Sequence, residues 1–231
     1  MTCVAGVDGA PNGWAVVIID ADRWRVRRVR ALSEIAGGLD IVAVDVPIGL
    51  CDIYEAGGRA CDRNARKRLQ KRGSSVFPAP VRSVLAASSW EDACARSRAS
   101  APKGKAISKQ TFAILEKIRE VDVLLQMRPK LRDIVREVHP EVCFCELVGR
   151  PMHHPKKKPE GRDERRQALS QQFPDLDAII DAGREQGLPR EDILDATVAC
   201  WSALRLACGK GRSLIEPVPR DTTGLPMTIW V

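Results

Sequence analysis

The chain has 231 residues, enough to bury one substantial core, and its 44% apolar and 29% charged residues exclude a globally disordered polymer. Its 37 basic and 30 acidic residues leave a formal net charge of +7, which attracts phosphate backbones but identifies no partner by itself. No apolar stretch approaches the roughly 18 residues of a membrane span. Asp8 and Asn12 stand where an export signal needs its apolar middle, so the expected location is the cytoplasm, with no membrane partner.

The first elements read as strands. Val4–Val7 is a short apolar run, Gly9-Ala10-Pro11-Asn12-Gly13 supplies turn residues, and Trp14–Ile19 is a second run, so together they predict a β-hairpin. Trp24, Val26 and Val29, set among arginines, predict a third and more exposed strand. Ile41–Val46 is continuously apolar but for Asp45, the pattern of a central strand buried on both faces. Pro47, which has no N–H to give a ladder, ends it.

Residues 51–133 read as a largely helical insertion within one domain spanning 1–231. Arg59–Arg72 is polar and basic. Ile107–Gln126 carries a helical stripe of Ile114, Leu115, Ile118, Val121 and Leu125, and Pro129 lies just beyond its end. Ile134–Val138 is a further strand, leading into His139-Pro140-Glu141. A basic loop, His153–Lys158, precedes two short helices over Glu164–Gln172 and Leu176–Gln186. The last helix, Glu191–Cys208, follows Pro189 and stops at Gly209, the usual asymmetry of helix ends. The order predicts an α/β protein with a mixed sheet flanked by helices.

Eight cysteines without an export signal do not predict a disulfide framework. Cys3, Cys200 and Cys208 lie in apolar runs, where a thiol acts as a small hydrophobe. Cys143 and Cys145 with His139 are the only close group. Without a CxxC or a second pair, buried thiols are the preferred reading over a zinc site.

Three acids stand where charge is hard to explain structurally. Asp8 closes the strand Val4–Val7, Asp45 interrupts the apolar run, and Asp195 lies in the nearly apolar helix Ile193–Cys208. A buried carboxylate needs hydrogen bonds, a basic partner or a metal ion. Carboxylates gathered from several elements repel one another unless a divalent cation compensates, and hard cations such as Mg²⁺ take oxygen ligands. Each acid has a plainer alternative. Asp8 can start a turn, Asp45 can cap a strand end, and Asp195 can pair with Arg205 or another base. Asp192, one helical turn before Asp195, either shares its role or is a favourable first-turn acid. Glu141, just past a strand end, is placed to face a cleft.

Short motifs along nearly the whole chain carry a resemblance. They are Gly6-Val7-Asp8-Gly9 with Gly13-Trp14, Val44-Asp45-Val46-Pro47-Ile48-Gly49-Leu50, Arg59-Ala60-Cys61-Asp62, Ala65-Arg66 and Ser74-Ser75-Val76-Phe77. Gln110, Lys117-Ile118, Glu120-Val121-Asp122, His139-Pro140-Glu141, Lys156-Lys157-Lys158 and Asp192-Ile193-Leu194-Asp195-Ala196 complete the set. In this order they resemble domain-of-unknown-function family 429, whose members are described as predicted ribonuclease H-like nucleases. The resemblance implies a ribonuclease H-like mixed sheet whose first three strands are antiparallel. It further implies that an acid on the first strand, one on the fourth and one on a late helix jointly hold metal. Asp8, Asp45 and Asp195 take those places, with Glu141 as a fourth catalytic candidate and Asp192 as a further metal ligand.

The expected activity is phosphodiester hydrolysis of nucleic acid, DNA or RNA, assisted by one or two Mg²⁺ or Mn²⁺ ions, about 4 Å apart if there are two. Arg63, Arg66, Arg72, Arg82, Lys156 and Lys157 are the candidates for holding backbone phosphates, with solvated surface as the alternative for each. Two rivals share the core. An actin-like or sugar-kinase-like phosphotransferase would use Asp8-Gly9 as a phosphate loop, although Ala10-Pro11-Asn12 offers no hydroxyl. A non-catalytic nucleic-acid-binding module would keep the basic surface and bind with strong salt dependence.

Overall fold

Cys3–Ala10 (β1) and Gly13–Asp20 (β2) form an antiparallel hairpin in the computed structural model, which describes residues 2–21, 23–35 and 37–231. The predicted five-residue turn shortens to two residues, because Asp8, Gly9 and Ala10 continue the ladder opposite Ala15, Trp14 and Gly13. Asn12 turns the chain at φ 57°, a left-handed conformation that asparagine tolerates. Arg23–Val29 (β3) pairs antiparallel with β2, as the Trp24, Val26, Val29 pattern predicts. Ile41–Val44 (β4) and Val135–Glu137 (β5) both run parallel to β1, giving the strand order β3-β2-β1-β4-β5. The central strand is shorter than the apolar run suggests. The Asp45 N–H still donates to the Val7 carbonyl at 3.0 Å, and the ladder ends before Pro47.

The α-helices among the described residues are α1 Ala60–Leu69, α2 Trp90–Ala99, α3 Lys109–Ala113, α4 Leu115–Met127, α5 Pro140–Val148, α6 Pro159–Ser170, α7 Leu176–Glu185 and α8 Arg190–Ala207. None of them is long and apolar enough to cross a membrane. The chain divides into two compact units. One is Met1–Asp45 with Lys130–Arg212 and Trp230–Val231; the other is Val46–Pro129 with Ser213–Ile229.

The first unit contains the sheet. Helix α8 lies against β1, β2 and β4, α7 lies against β3, and α5 and α6 pack on α8. The even-numbered residues of β1 face α8. Gly6 makes the closest approach, since a Cβ there would come within 2.6 Å of the Cys200 Cα and closer still to the Ala196 carbonyl and the Cys200 nitrogen. Helix α5 is absent from the sequence reading. Val142, Cys143, Phe144 and Cys145 are all buried, so no polar face reveals the helical period there. Pro140 in its first turn and Gly149 at φ 76° after its end are the local signals that mark it.

The second unit is helical, and the C-terminal stretch Ser213–Ile229 belongs to it. The single helix predicted over Ile107–Gln126 is two. Ser108 caps α3 by accepting the Thr111 N–H at 3.0 Å, and the chain breaks at Ile114 (φ −104°, ψ 7°) before α4 begins. Leu115, Ile118, Val121 and Leu125 of the predicted stripe are buried. Asp221 accepts the Leu50 and Leu225 N–H groups at 2.9 Å each and so fastens the C-terminal stretch to the start of the unit.

The Gly6 contact gives a direct test of this packing. A Gly6→Ala substitution is expected to cost at least about 3 kcal/mol, because two main chains must separate to admit one methyl group. Urea unfolding checks it, and a loss below about 1 kcal/mol would contradict the observed approach of α8 to β1.

Candidate functional site

Parallel pairing places the C-terminal ends of β1, β4 and β5 side by side, and the acids gather at that edge of the sheet. Asp8 lies two residues beyond Gly6 on the same α8-facing side of β1, with Asp45 one residue past β4. Asp195 immediately precedes Ala196, whose carbonyl marks the close approach at Gly6. The Asp8 and Asp45 side chains are hydrogen-bonded to each other. Lys156, from the turn between α5 and α6, places its ammonium Nζ 2.6 Å from Asp195 Oδ2. The Asp195 side chain is 2% exposed, whereas that of Lys156 is 44% exposed, so the pair is buried on the acid's side only.

The charges in this group act on one another. Burial, then the neighbouring Asp195 and Asp45 carboxylates, push Asp8 well above the usual carboxylate range, with Asp192 adding in the same direction. Burial also raises Asp45, while His139 and Lys156 oppose the rise. Asp195, more than any other group, holds Lys156 firmly in its protonated form. Together these shifts describe a hydrogen-bonded acid pair with Asp8 the more readily protonated, beside an ammonium-capped carboxylate.

Glu141 is placed differently from the aspartates. It lies in the first turn of α5, buried, and forms an ion pair with Arg165 of α6. Arg165 also donates to the carbonyls of His154 (3.1 Å) and Gly161 (2.6 Å), and its guanidinium stands over the Phe144 ring. Glu164 accepts the His153 and His154 N–H groups at 3.0 Å and pairs with Arg150 at 3.0 Å. Glu141 thus belongs to the scaffold that fixes the turn bearing Lys156. Arg205, the partner suggested for Asp195, pairs instead with Glu146 at 3.2 Å and stacks over Trp201.

The arginines singled out as phosphate contacts lie in the second unit, where Arg63, Arg66 and Arg82 are held by internal partners. Arg63 pairs with Glu55 at 2.8 Å and donates to the Gly58 carbonyl. Arg66 donates to the carbonyls of Val76 (2.9 Å) and Gly57. Arg82 bridges Asp122, at 3.0 Å, and Asp221. Arg72 is half-buried in the 3-10 turn Gln70–Ser75, and Lys157 is exposed. Cys143 and Cys145 are buried free thiols, and burial pushes Cys143 up to about 12, so it remains protonated at neutral pH.

His139, which no sequence motif attaches to the carboxylates, lies close enough to influence Asp45 electrostatically. The signal was available, since His139 directly follows β5, a strand parallel to the one that ends at Asp45. Among the described residues, no three His, Cys, Asp or Glu side chains stand in a ready ligand geometry for a metal ion. The donor chemistry nevertheless suits a hard divalent cation. Three carboxylates converge, two of them with raised proton affinity, and the Lys156 ammonium stands against the third.

The molecule is therefore an α/β protein with a five-stranded mixed sheet, helices against it, and an acidic group at the strand ends. A family model described as "Protein of unknown function (DUF429)" matches residues 6–220, and the chain belongs to that family. No curated protein and no solved structure matches the chain.

The raised Asp8 group has a consequence for stability. Between the ordinary carboxylate value of about 3.9 and its own higher value, the folded chain holds a proton that the unfolded chain has lost. Stability without metal therefore falls as pH rises through that window and levels off above it. Asp8→Asn keeps a hydrogen-bond donor toward Asp45 and removes the titration. In chelator, its Tm is expected to exceed the native value at pH 7.5 by about 2–4 °C for each kcal/mol recovered. The difference should shrink toward pH 4, and a Tm below the native one at pH 7.5 would contradict the assignment.

Proposed function

We propose that the chain is a ribonuclease H-like nuclease that hydrolyses phosphodiester bonds of nucleic acid with the help of Mg²⁺ or Mn²⁺. The strand order, with three antiparallel strands followed by two parallel to the first, supports that fold. The observation that carries the function is the convergence of Asp8, Asp45 and Asp195 from β1, the end of β4 and α8. Helix capping or turn formation alone explains none of this mutual coupling.

Asp8, Asp45 and Asp195 would hold the cation, with Asp192 near enough to add its charge. When bound, the cation supplies an electrophile for a phosphodiester oxygen and lowers the proton affinity of an attacking water. The protein's own groups do the rest. His139, which influences Asp45 electrostatically, is the candidate in this reading for proton transfer at the edge of the cluster. Lys157 and Lys158, exposed in the turn next to Lys156, offer positive charge to a phosphate backbone at the same edge of the first unit. The net charge of +7 supports nucleic acid as the substrate class. Glu141 acts in this reading through the Arg165 scaffold.

A panel of single-stranded, duplex and hybrid DNA and RNA substrates, incubated with Mn²⁺, tests the proposal. Cleavage is expected in the native protein and should fall at least about 100-fold in Asp45→Asn, a loss near 2.7 kcal/mol of transition-state stabilisation. That variant should keep its thermal unfolding transition and most of its substrate affinity. Cleavage that persists in Asp45→Asn would remove the carboxylates from the reaction.

A further inference from the structure

We infer that the Lys156 ammonium is the resident counter-cation of the carboxylate cluster and sets its affinity for divalent metal, because the metal ion must displace it to reach Asp195. This rests on the metal-assisted reading above. The ion pair at 2.6 Å commits Asp195 Oδ2, one of the donor atoms a metal would need. Asp195 is otherwise enclosed, so the cation that meets it there controls access to it. A divalent ion and an ammonium cannot share one carboxylate oxygen at contact distance without strong repulsion.

The surroundings show how the exchange occurs without unfolding. Residues 151–158 carry no helix or strand, but both sides of the turn are fastened. Glu164 holds His153 and His154, Arg165 holds the His154 and Gly161 carbonyls, and the Lys158 N–H donates to Pro155. The main chain is therefore a fixed mount. The lysine stem is flexible, and 44% of the side chain already faces outward, so rotation about its own bonds releases the ammonium. Lys157 and Lys158 are exposed, and Lys156 is the half-buried member of the run. Its insertion is a property of this position and not of a basic loop in general. The released ammonium is left at the mouth of the cluster, where an entering phosphate would meet it.

Calorimetric titration of Mn²⁺ into metal-free native protein, Lys156→Met and Lys156→Arg reads this directly. Kd should fall at least about tenfold in Lys156→Met and stay within about threefold of native in Lys156→Arg, which keeps the charge. Equal or weaker binding by Lys156→Met, with native binding intact, would overturn this inference and leave the metal site standing. Absence of binding in the native chain and both variants would remove the metal reading and this inference together. The native chain supplies a second readout that needs no variant. Acetylation of Lys156 by an amine-reactive ester, followed by peptide mass spectrometry against Lys157 and Lys158, should speed up severalfold on adding Mn²⁺. An unchanged ratio would overturn the displacement even if Lys156→Met failed to fold.

Discussion

Mutual repulsion among carboxylates that the fold forces together is the constraint on which this site depends. Asp8, Asp45 and Asp195 come from three elements whose positions are fixed by main-chain pairing and helix packing, so the charges cannot relax apart. The cluster answers with a raised proton affinity at Asp8 and with the Lys156 ammonium against Asp195. Both responses lessen the cost of buried charge, and neither satisfies every oxygen of the group. This unrelieved repulsion at fixed positions is the feature on which the proposed cation site rests. An ordinary core arrangement would have separated the charges or replaced them with apolar groups.

The rest of the first unit keeps that group in place. Gly6 lets α8 approach β1 to backbone contact, which brings Asp195 to the strand end bearing Asp8. The buried Glu141–Arg165 pair ties α5 to α6 and fixes the turn from which Lys156 enters. Breaking a buried pair of this kind by removing one partner leaves a charge uncompensated, so its influence on the site is indirect but large. The second unit has its own charged anchor, Arg82 between Asp122 and Asp221, and its arginines mainly hold loops to helices.

Much of this was legible in the sequence. Asp8, Asp45 and Asp195 each break an apolar pattern, which is visible without coordinates, and they prove to be neighbours. The hairpin, the third strand, the central strand and α8 follow from period and turn residues. The strand β1 extends past its apolar run because ladder hydrogen bonds come from the main chain and admit Asp8 and Gly9. Helix α5 was hidden because its run Pro140–Cys145 is buried all round and so loses its amphipathic period. Partner choice was the least legible. Arg63, Arg66 and Arg82 look like surface charge in a list of residues, and only tertiary contacts reveal their carbonyl and carboxylate partners. Lys156 differs from Lys157 and Lys158 by its burial and its pairing with Asp195, which a run of three lysines cannot express.

A crystal of the native protein soaked in Mn²⁺ and measured at an anomalous wavelength tests the central claim most directly. The account predicts an anomalous peak within coordination distance of the Asp8, Asp45 and Asp195 carboxylates, with the Lys156 ammonium moved off Asp195. A fully soaked crystal with no peak at the cluster, and Lys156 still paired with Asp195, would contradict it.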